Sequence, residues 1–125
     1  MATEEEHLTQ AQHNNQFLAT FDLAVSPYLD WAVTVIFYAA LHYVRVLAAR
    51  SRFTNISSYA DMDRVFERLD VFRRREDVYV DYRQLKDDSR EARYDMRQFS
   101  PDEVIDLRDG ELHRIREFVV SHLAA

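Results

Sequence analysis

Polar side chains recur along one side of the most apolar stretch of the chain. They lie four, four, four and three residues apart, so an α-helix would place them roughly on one face. The members of this polar line are Asp30, Thr34, Tyr38, His42 and Arg45. Because histidine exchanges protons near neutral pH, Tyr38 and His42 could handle protons or contact a ligand. The alternative, which we favour, is a buried hydrogen-bonded network that fixes the register of the helix.

A row of basic side chains follows a later segment, with spacings of three, four, three and four residues. The row consists of Arg83, Lys86, Arg90, Arg93 and Arg97. Nucleic acid phosphates could lie along such a row. Acidic residues interleave with it, however, and ion pairs at helical spacing account for many of these charges. The formal net charge of -6 also opposes general attraction to phosphate, so we favour the ion-paired interpretation.

Metal and cofactor sites find little support in the residue types. Helical bundles that hold two metal ions need Glu-x-x-His pairs on two helices, and only Glu4 and His7 have that spacing. A chain with one glycine cannot form a glycine-rich phosphate loop, and a chain without cysteine has no thiolate ligand or disulfide. No nucleophile has an obvious base at a fixed spacing. The sequence therefore predicts no metal and no cofactor.

The stretch from Asp30 to Arg50 is apolar on nearly every side and predicts a central, buried helix. It approaches the length of a membrane span, but His42 and Arg45 near its middle would be costly in lipid. One glycine and two prolines leave little turn chemistry, which predicts a single all-α domain over residues 1–125. The acidic first ten residues lack the features of a secretory signal, so we expect a cytoplasmic protein.

Four further helices are indicated by apolar residues three and four positions apart. They cover residues 3–24, 60 to about 73–77, 78–99, and 101 to near the chain end. The third of them carries an apolar seam at Val78, Tyr82, Leu85, Ser89, Ala92, Met96 and Phe99. Asp30 is expected to cap the central helix, and Ser100 followed by Pro101 predicts a strong helix start. Gly110 should cost the last helix about 1 kcal/mol, unless another backbone approaches closely there.

The order of these elements and four local strings resemble the HEPN superfamily (higher eukaryotes and prokaryotes nucleotide-binding). The strings are HNNQFL at 13–18, DWAVTVIFYAALHYV at 30–44, YRQLKDDSREARY at 82–94 and FSPDEV at 99–104. They are similar to a prokaryotic HEPN-like branch without an assigned reaction, over nearly the whole chain. The resemblance implies a compact bundle of four to five helices, often dimeric. Such domains occur in toxin-antitoxin pairs, beside nucleotidyltransferases, or in RNA-cutting defence proteins.

The resemblance also implies where a binding site would lie. The string SREARY, residues 89–94, and the central helix look like the signature elements of this branch, so the two should face each other. Together with the polar line and the basic row, this resemblance predicts the binding residues Tyr38, His42, Arg90, Arg93 and Tyr94.

A catalytic alternative comes from the same resemblance. HEPN ribonucleases carry an arginine, a polar residue, and a histidine after four to six intervening positions, and RDGELH at 108–113 fits that form. Paired across a dimer, His113 would move protons at the ribose hydroxyl while Arg108 steadies the phosphate charge, without a metal. The competing interpretation is two exposed residues of the last helix. About two such pairs are expected by chance, and two occur, the second being Arg116 with His122.

The function that we expect from these observations is that of a non-enzymatic HEPN-type interaction module, binding a cognate protein or RNA in a toxin-antitoxin or defence system. A homodimer is expected because few neighbours in so small a bundle could cover a helix that is apolar all round. The alternative is a metal-independent HEPN ribonuclease that uses Arg108 and His113.

Overall fold

The computed structural model describes residues 2–53 and 55–124, and this part of the chain is all-helical, without strands. The predicted domain 1–125 thus includes Met1, Thr54 and Ala125, which lie outside the described residues. The helices are α1 (Glu4–Leu18), α2 (Leu29–Arg50), α3 (Tyr59–Arg68), α4 (Asp70–Arg73), α5 (Glu76–Tyr94), α6 (Pro101–Asp106), a π-helical segment π1 (Leu107–Leu112) and α7 (His113–Leu123). Segments α6, π1 and α7 follow one another without a break and form one continuous helix. The prediction of a compact all-α bundle is confirmed.

Helix α2 is the centre of the bundle. Thirteen of its 22 residues are buried, as its composition predicts. It is the one helix in the described ranges that is long and apolar enough to cross a membrane, with a mean hydropathy of 1.6. The rest of the chain buries 72% of that apolar window, so packing in a protein core accounts for its composition. The chain itself thus covers most of α2, and the expected homodimer stays a prediction.

Three helices pack around α2 and supply most of this cover. Helix α1 contributes the buried Ala11 and Leu18, α5 contributes Leu85, and α7 contributes Ile115 and Val119. Four alanines of α2 are completely buried and leave room for the neighbouring helices to approach closely: Ala32, Ala39, Ala40 and Ala48.

An aromatic cluster joins α3, α4 and α5. The ring of Phe66 lies 4.8 Å from that of Phe72 and 4.9 Å from those of Tyr79 and Tyr82, between ring centroids. Tilted aromatic pairs at such distances add about 0.5–1.5 kcal/mol each beyond the area that they bury. The cluster therefore fixes the short helices α3 and α4 against the longer α5.

The C-terminus of α2 closes with a left-handed residue that is not glycine. Arg52 has φ 62°, and its N–H donates to the carbonyl of Ala49 at 3.0 Å. The N–H of Phe53 donates to the carbonyl of Ala48 at 2.8 Å. These two bonds form a Schellman motif, in which glycine is the usual left-handed residue. An arginine there costs about 1–2 kcal/mol relative to an unstrained conformation.

Helix α5 ends earlier than the apolar seam predicted. It stops at Tyr94, and Met96 adopts a left-handed conformation with φ 52° and is 82% exposed. The prediction that Met96 packs in the seam is therefore wrong, although Phe99 is buried after the chain reverses. Without a glycine at position 96, nothing in the local sequence marks this helix end.

Two other boundaries differ from the prediction near the N-terminus of α2. Helix α1 ends at Leu18 rather than near residue 24, and residues 19–28 form turns. Asp30 does not cap α2: the capping position is Tyr28, which makes no side-chain cap bond, and Asp30 lies in the first turn. Its carboxylate there still complements the positive end of the helix dipole. A capping box between Thr3 and Glu6 starts α1.

The predicted third helix is divided into two. Leu69, with φ -82° and ψ 124°, is extended and separates α3 from α4. A second interruption at Arg74 and Arg75 precedes α5, close to the predicted bend at residues 73–77. The two breaks turn the chain so that Phe66 and Phe72 can meet.

The start of the last helix is confirmed. Ser100 accepts a hydrogen bond from the N–H of Glu103, whose side chain accepts one from the N–H of Ser100, and Pro101 occupies the first turn. Gly110 lies within π1, where the helix is wound more loosely. The nearest atom to a side chain at Gly110 would be Nη1 of Arg114, at 3.3 Å, so no other backbone approaches there.

Candidate functional site

The polar line of α2 is divided among separate partners in the folded chain. Near its start, the Thr34 hydroxyl donates to the carbonyl of Asp30 at 2.9 Å, which satisfies Thr34 within the helix, while the Asp30 side chain is exposed. Tyr38, His42 and Arg45 are each partly buried and reach different neighbouring segments. The line therefore joins the helix to its surroundings rather than forming one connected network.

His42 pairs with a histidine of α1. Its Nδ1 lies 3.1 Å from Nδ1 of His7, so one ring donates and the other accepts. Burial, His7 and Arg45 lower the pKa of His42 to about 4, and burial together with Arg45 lowers the pKa of His7. Both rings are consequently neutral at pH 7. His7 was not predicted as a partner, because no spacing rule links residues 35 positions apart.

Tyr38 and Arg93 meet as the HEPN resemblance implied. Nη1 of Arg93 donates to the Tyr38 hydroxyl at 3.0 Å, and Nε donates to the carbonyl of Ser89 at 3.3 Å. The Arg93 guanidinium lies 5.6 Å from the centre of the Tyr38 ring and 5.2 Å from that of Tyr94. Burial and the neighbouring Tyr59 hydroxyl raise the pKa of Tyr38, which keeps it a neutral hydrogen-bonding group at pH 7. The expected link from this pair to His42 is wrong, because His42 bonds to His7 instead.

Arg45 completes the line at the other end of α2. Its Nη2 donates to the carbonyl of Ile56 at 3.0 Å, whereas its Nε is buried without a hydrogen-bond partner. Arg45 also lines a pocket of about 360 Å³ between α2 and the start of α3. The full lining is Leu41, Arg45, Ser57, Ser58, Tyr59 and Met62.

The basic row, which begins in α5 and ends beyond it at Arg97, is largely engaged within the chain. Arg97 forms ion pairs with Asp88, Glu91 and Glu103. Two other members lie over aromatic rings: Arg83 is 5.8 Å from the Tyr79 ring centre, and Lys86 is 5.5 Å from that of Tyr59. Arg93 is bound to Tyr38, as described above. Arg90 is exposed, and so is Tyr94. Most side chains of the row thus form contacts within the chain, and Arg90 is the member without such a contact among the described residues.

The predicted catalytic pair lies at the π-helical segment. Arg108 binds Asp109 through two hydrogen bonds of 2.8 and 3.1 Å, and this arginine lowers the pKa of Asp109. His113 follows the segment directly and is exposed. Arg108 and His113 are five residues apart along the chain, with most of the loosely wound π-helical segment between them. The structure thus brings Arg108 to Asp109 and leaves His113 open to solvent.

An exposed aromatic surface was not predicted as a site. It comprises Phe17, Phe21, Val25, Tyr28 and Trp31, which line one groove of about 650 Å³. Phe17, Tyr28 and Trp31 are 50%, 60% and 58% exposed. The sequence predicts one helix over residues 3–24, whereas α1 ends at Leu18 and leaves Phe21 and Val25 in the turns that follow. The one sequence feature that could have indicated this surface is the pair of apolar residues Val25 and Tyr28 on either side of Pro27.

A second groove adjoins the aromatic surface. It has a volume of about 470 Å³ and shares Ser26 and Pro27 with the first groove. Met96, the exposed left-handed residue after α5, lines it together with Phe99. Asp30, Arg97 and Gln98 also line this second groove, so the apolar surface of the first groove continues into a mainly polar one.

Metal ligation has no geometric support in the part of the chain that the structure describes, where no group of three or more His, Asp or Glu side chains is arranged to hold an ion. Comparison with family models, with curated proteins and with solved structures finds no match to this chain.

Proposed function

We propose that this chain is a HEPN-like, non-enzymatic interaction module that acts as a homodimer through its aromatic surface. The observation that carries the proposal is the exposure of Phe17, Tyr28 and Trp31 around one groove. Tyr, Trp and Phe are enriched in protein interfaces, and a contiguous apolar patch of this kind is rare on surfaces that contact only water. Dimerisation would bury it in the same way as a core.

A protein partner is favoured over RNA by the distribution of charge. The chain has a net charge of -6, and four of the five cations of the basic row contact carboxylates or aromatic rings of the same chain, Arg90 being the exception. These cations could bind phosphate only if their contacts within the chain were broken. A protein partner could bind the exposed aromatic surface without breaking those contacts. We place the module in the cytoplasm, in a toxin-antitoxin or defence system, on the resemblance to HEPN proteins.

The test of this proposal is the mass in solution. Light scattering at tens of micromolar should return twice the chain mass of 14.9 kDa. Replacing Tyr28 and Trp31 together by Ser should return the monomer mass with unchanged helical circular dichroism. Val80→Ser, at a 63% exposed residue of α5, is the matched control and should stay dimeric. A monomeric parent protein, or a double variant that remains dimeric, would refute the proposal.

A second candidate function is metal-independent RNA cleavage, for which the specific observation is π1. Irregular π-helical turns occur frequently at functional sites, and this one contains Arg108 and ends at the exposed His113. Incubation with structured and single-stranded RNA in the presence of a chelator tests it. Cleavage lost in both Arg108→Ala and His113→Ala, but retained in Arg116→Ala, would support the nuclease. Absence of cleavage by the parent protein would exclude it.

A further inference from the structure

The pocket between α2 and the start of α3 combines an apolar floor with one cation. Leu41 and Met62 are buried residues that form apolar lining, and Arg45 supplies the charge. Its volume of about 360 Å³ lies in the range of pockets that hold small molecules. Small-molecule sites typically show this combination of apolar walls with a few convergent polar groups.

Arg45 is a partly buried arginine that has no ion pair among the described residues. Its Nη2 is held by a neutral carbonyl, that of Ile56, and its Nε is buried without a partner. Seven other arginines do pair with carboxylates: Arg64, Arg73, Arg75, Arg97, Arg108, Arg114 and Arg116. The neighbouring His7 and His42 are neutral at pH 7, so they neither add to the charge of Arg45 nor balance it. A partly buried cation without a counter-ion is costly, and an anion in the pocket would relieve that cost.

The opposite wall of the pocket is the N-terminus of α3, a ten-residue helix. Its positive dipole end faces the pocket through Ser57, Ser58 and Tyr59. Asp61 is the carboxylate of this first turn, but it is held by the N–H and hydroxyl of Ser57 and by Arg64. It lines a separate pocket rather than this one.

We propose that this pocket binds a small monocarboxylate with an aliphatic chain. A planar carboxylate matches the planar guanidinium of Arg45, and the chain would lie against Leu41 and Met62. A phosphate dianion fits less well, because the pocket lining offers one cation and the nearby Asp61 would repel a second negative charge. This site is separate from the aromatic surface, so the inference does not depend on the proposed function.

Hexanoate is the probe for this site. Hexanamide is the first control, because it has the same aliphatic chain without the charge, and inorganic phosphate is the second, because it has the charge without an aliphatic chain. Titration calorimetry of the 125-residue chain at pH 7 should show saturable hexanoate binding at one site per chain. Hexanamide and phosphate should each bind at least about tenfold more weakly, a difference of about 1.4 kcal/mol. Equal binding of hexanamide would refute the role of Arg45, and tighter binding of phosphate would refute the choice of a monocarboxylate.

Variants then locate the site. Arg45→Met should reduce hexanoate affinity at least about tenfold, whereas Arg68→Met, an exposed arginine of α3 outside the pocket, should leave it unchanged. Because removal of Arg45 could perturb folding, Ser57→Glu offers a second route: it places a negative charge at the pocket mouth from an exposed residue and should also abolish binding. Full binding by either pocket variant, or no saturable binding by the parent protein, would overturn the proposal.

A spectroscopic readout is independent of calorimetry. Arg45 helps to lower the pKa of His42, so a carboxylate bound at Arg45 should raise that pKa towards its ordinary value. Histidine ring resonances followed by NMR in the presence and absence of hexanoate measure this shift directly. An unchanged His42 titration at saturating hexanoate would place the ligand elsewhere.

Discussion

Acidification should destabilise this protein through the His7–His42 pair, starting at a pH above the range in which most carboxylates titrate. The two Nδ1 atoms are 3.1 Å apart, and burial, His7 and Arg45 lower the pKa of His42 from 6.5 to about 4. Between these pH values the unfolded chain binds protons that the folded chain does not. Stability is therefore fully present above pH 6.5 and is lost progressively as the pH falls to about 4.

The size of the effect follows from the same two values. At about 1.36 kcal/mol per pH unit, the interval from 6.5 to about 4 corresponds to at most about 3.4 kcal/mol. Because His42 keeps partial solvent exposure, screening reduces this to about 1–2 kcal/mol. Protonating both rings would leave two N–H donors facing each other beside Arg45. A loss of that size is a substantial part of the stability of a small domain.

The assay is urea denaturation followed by circular dichroism at pH 7, 6, 5 and 4.5. His42→Asn removes the ionisable ring and should flatten the fall in unfolding free energy over this interval by about 1 kcal/mol. His13→Asn, at an exposed histidine of the same helix as His7, is the control and should retain the parent slope. If His42→Asn kept the full slope, the assignment of the pH dependence to this pair would be wrong.

Two further predictions concern helix ends and the α2–α5 contact. Arg52→Gly should raise the unfolding free energy by about 0.5–1 kcal/mol in urea denaturation, because it removes left-handed strain at the C-terminus of α2, and a decrease would contradict the Schellman assignment. Tyr38→Phe should lower the unfolding free energy by about 1 kcal/mol, because it removes the hydrogen bond from Arg93. Tyr94→Phe, at an exposed ring, should change the unfolding free energy by less than about 0.5 kcal/mol. Equal effects of the two Tyr→Phe changes would count against that bond.

Helix positions could be predicted from the sequence where the apolar pattern is strong or a cap is explicit. The central helix was expected from Asp30 to Arg50 and runs from Leu29 to Arg50, and the capping box at Ser100 is present. The end of α5 could not be predicted, since Met96 takes a left-handed conformation that normally signals itself by glycine. The π-helical winding around Gly110 also has no sequence signal beyond the glycine itself.

The candidate site could be predicted only in part, for a related reason. Helical spacing identifies Tyr38, His42 and Arg45 as one face, but it does not say which distant segment each of them meets. The resemblance to HEPN proteins predicted Arg93 as the partner of Tyr38, whereas no feature of the sequence predicted His7 as the partner of His42. The aromatic surface was missed because its exposure depends on where α1 ends, which is the least certain part of a pattern-based prediction.

The polar line of α2 can now be understood as a set of separate attachments. His42 is satisfied by α1, Tyr38 by α5, and Arg45 by the carbonyl of Ile56 ahead of α3. The first two attachments pair side chains whose hydrogen bonds hold the helices in register, so disrupting either should affect stability first. Arg45 differs because its charge has no carboxylate partner among the described residues and its guanidinium borders a pocket. If the polar line has a function beyond packing, it therefore lies at the Arg45 end, while the aromatic surface at the opposite end of α2 is available for a protein partner.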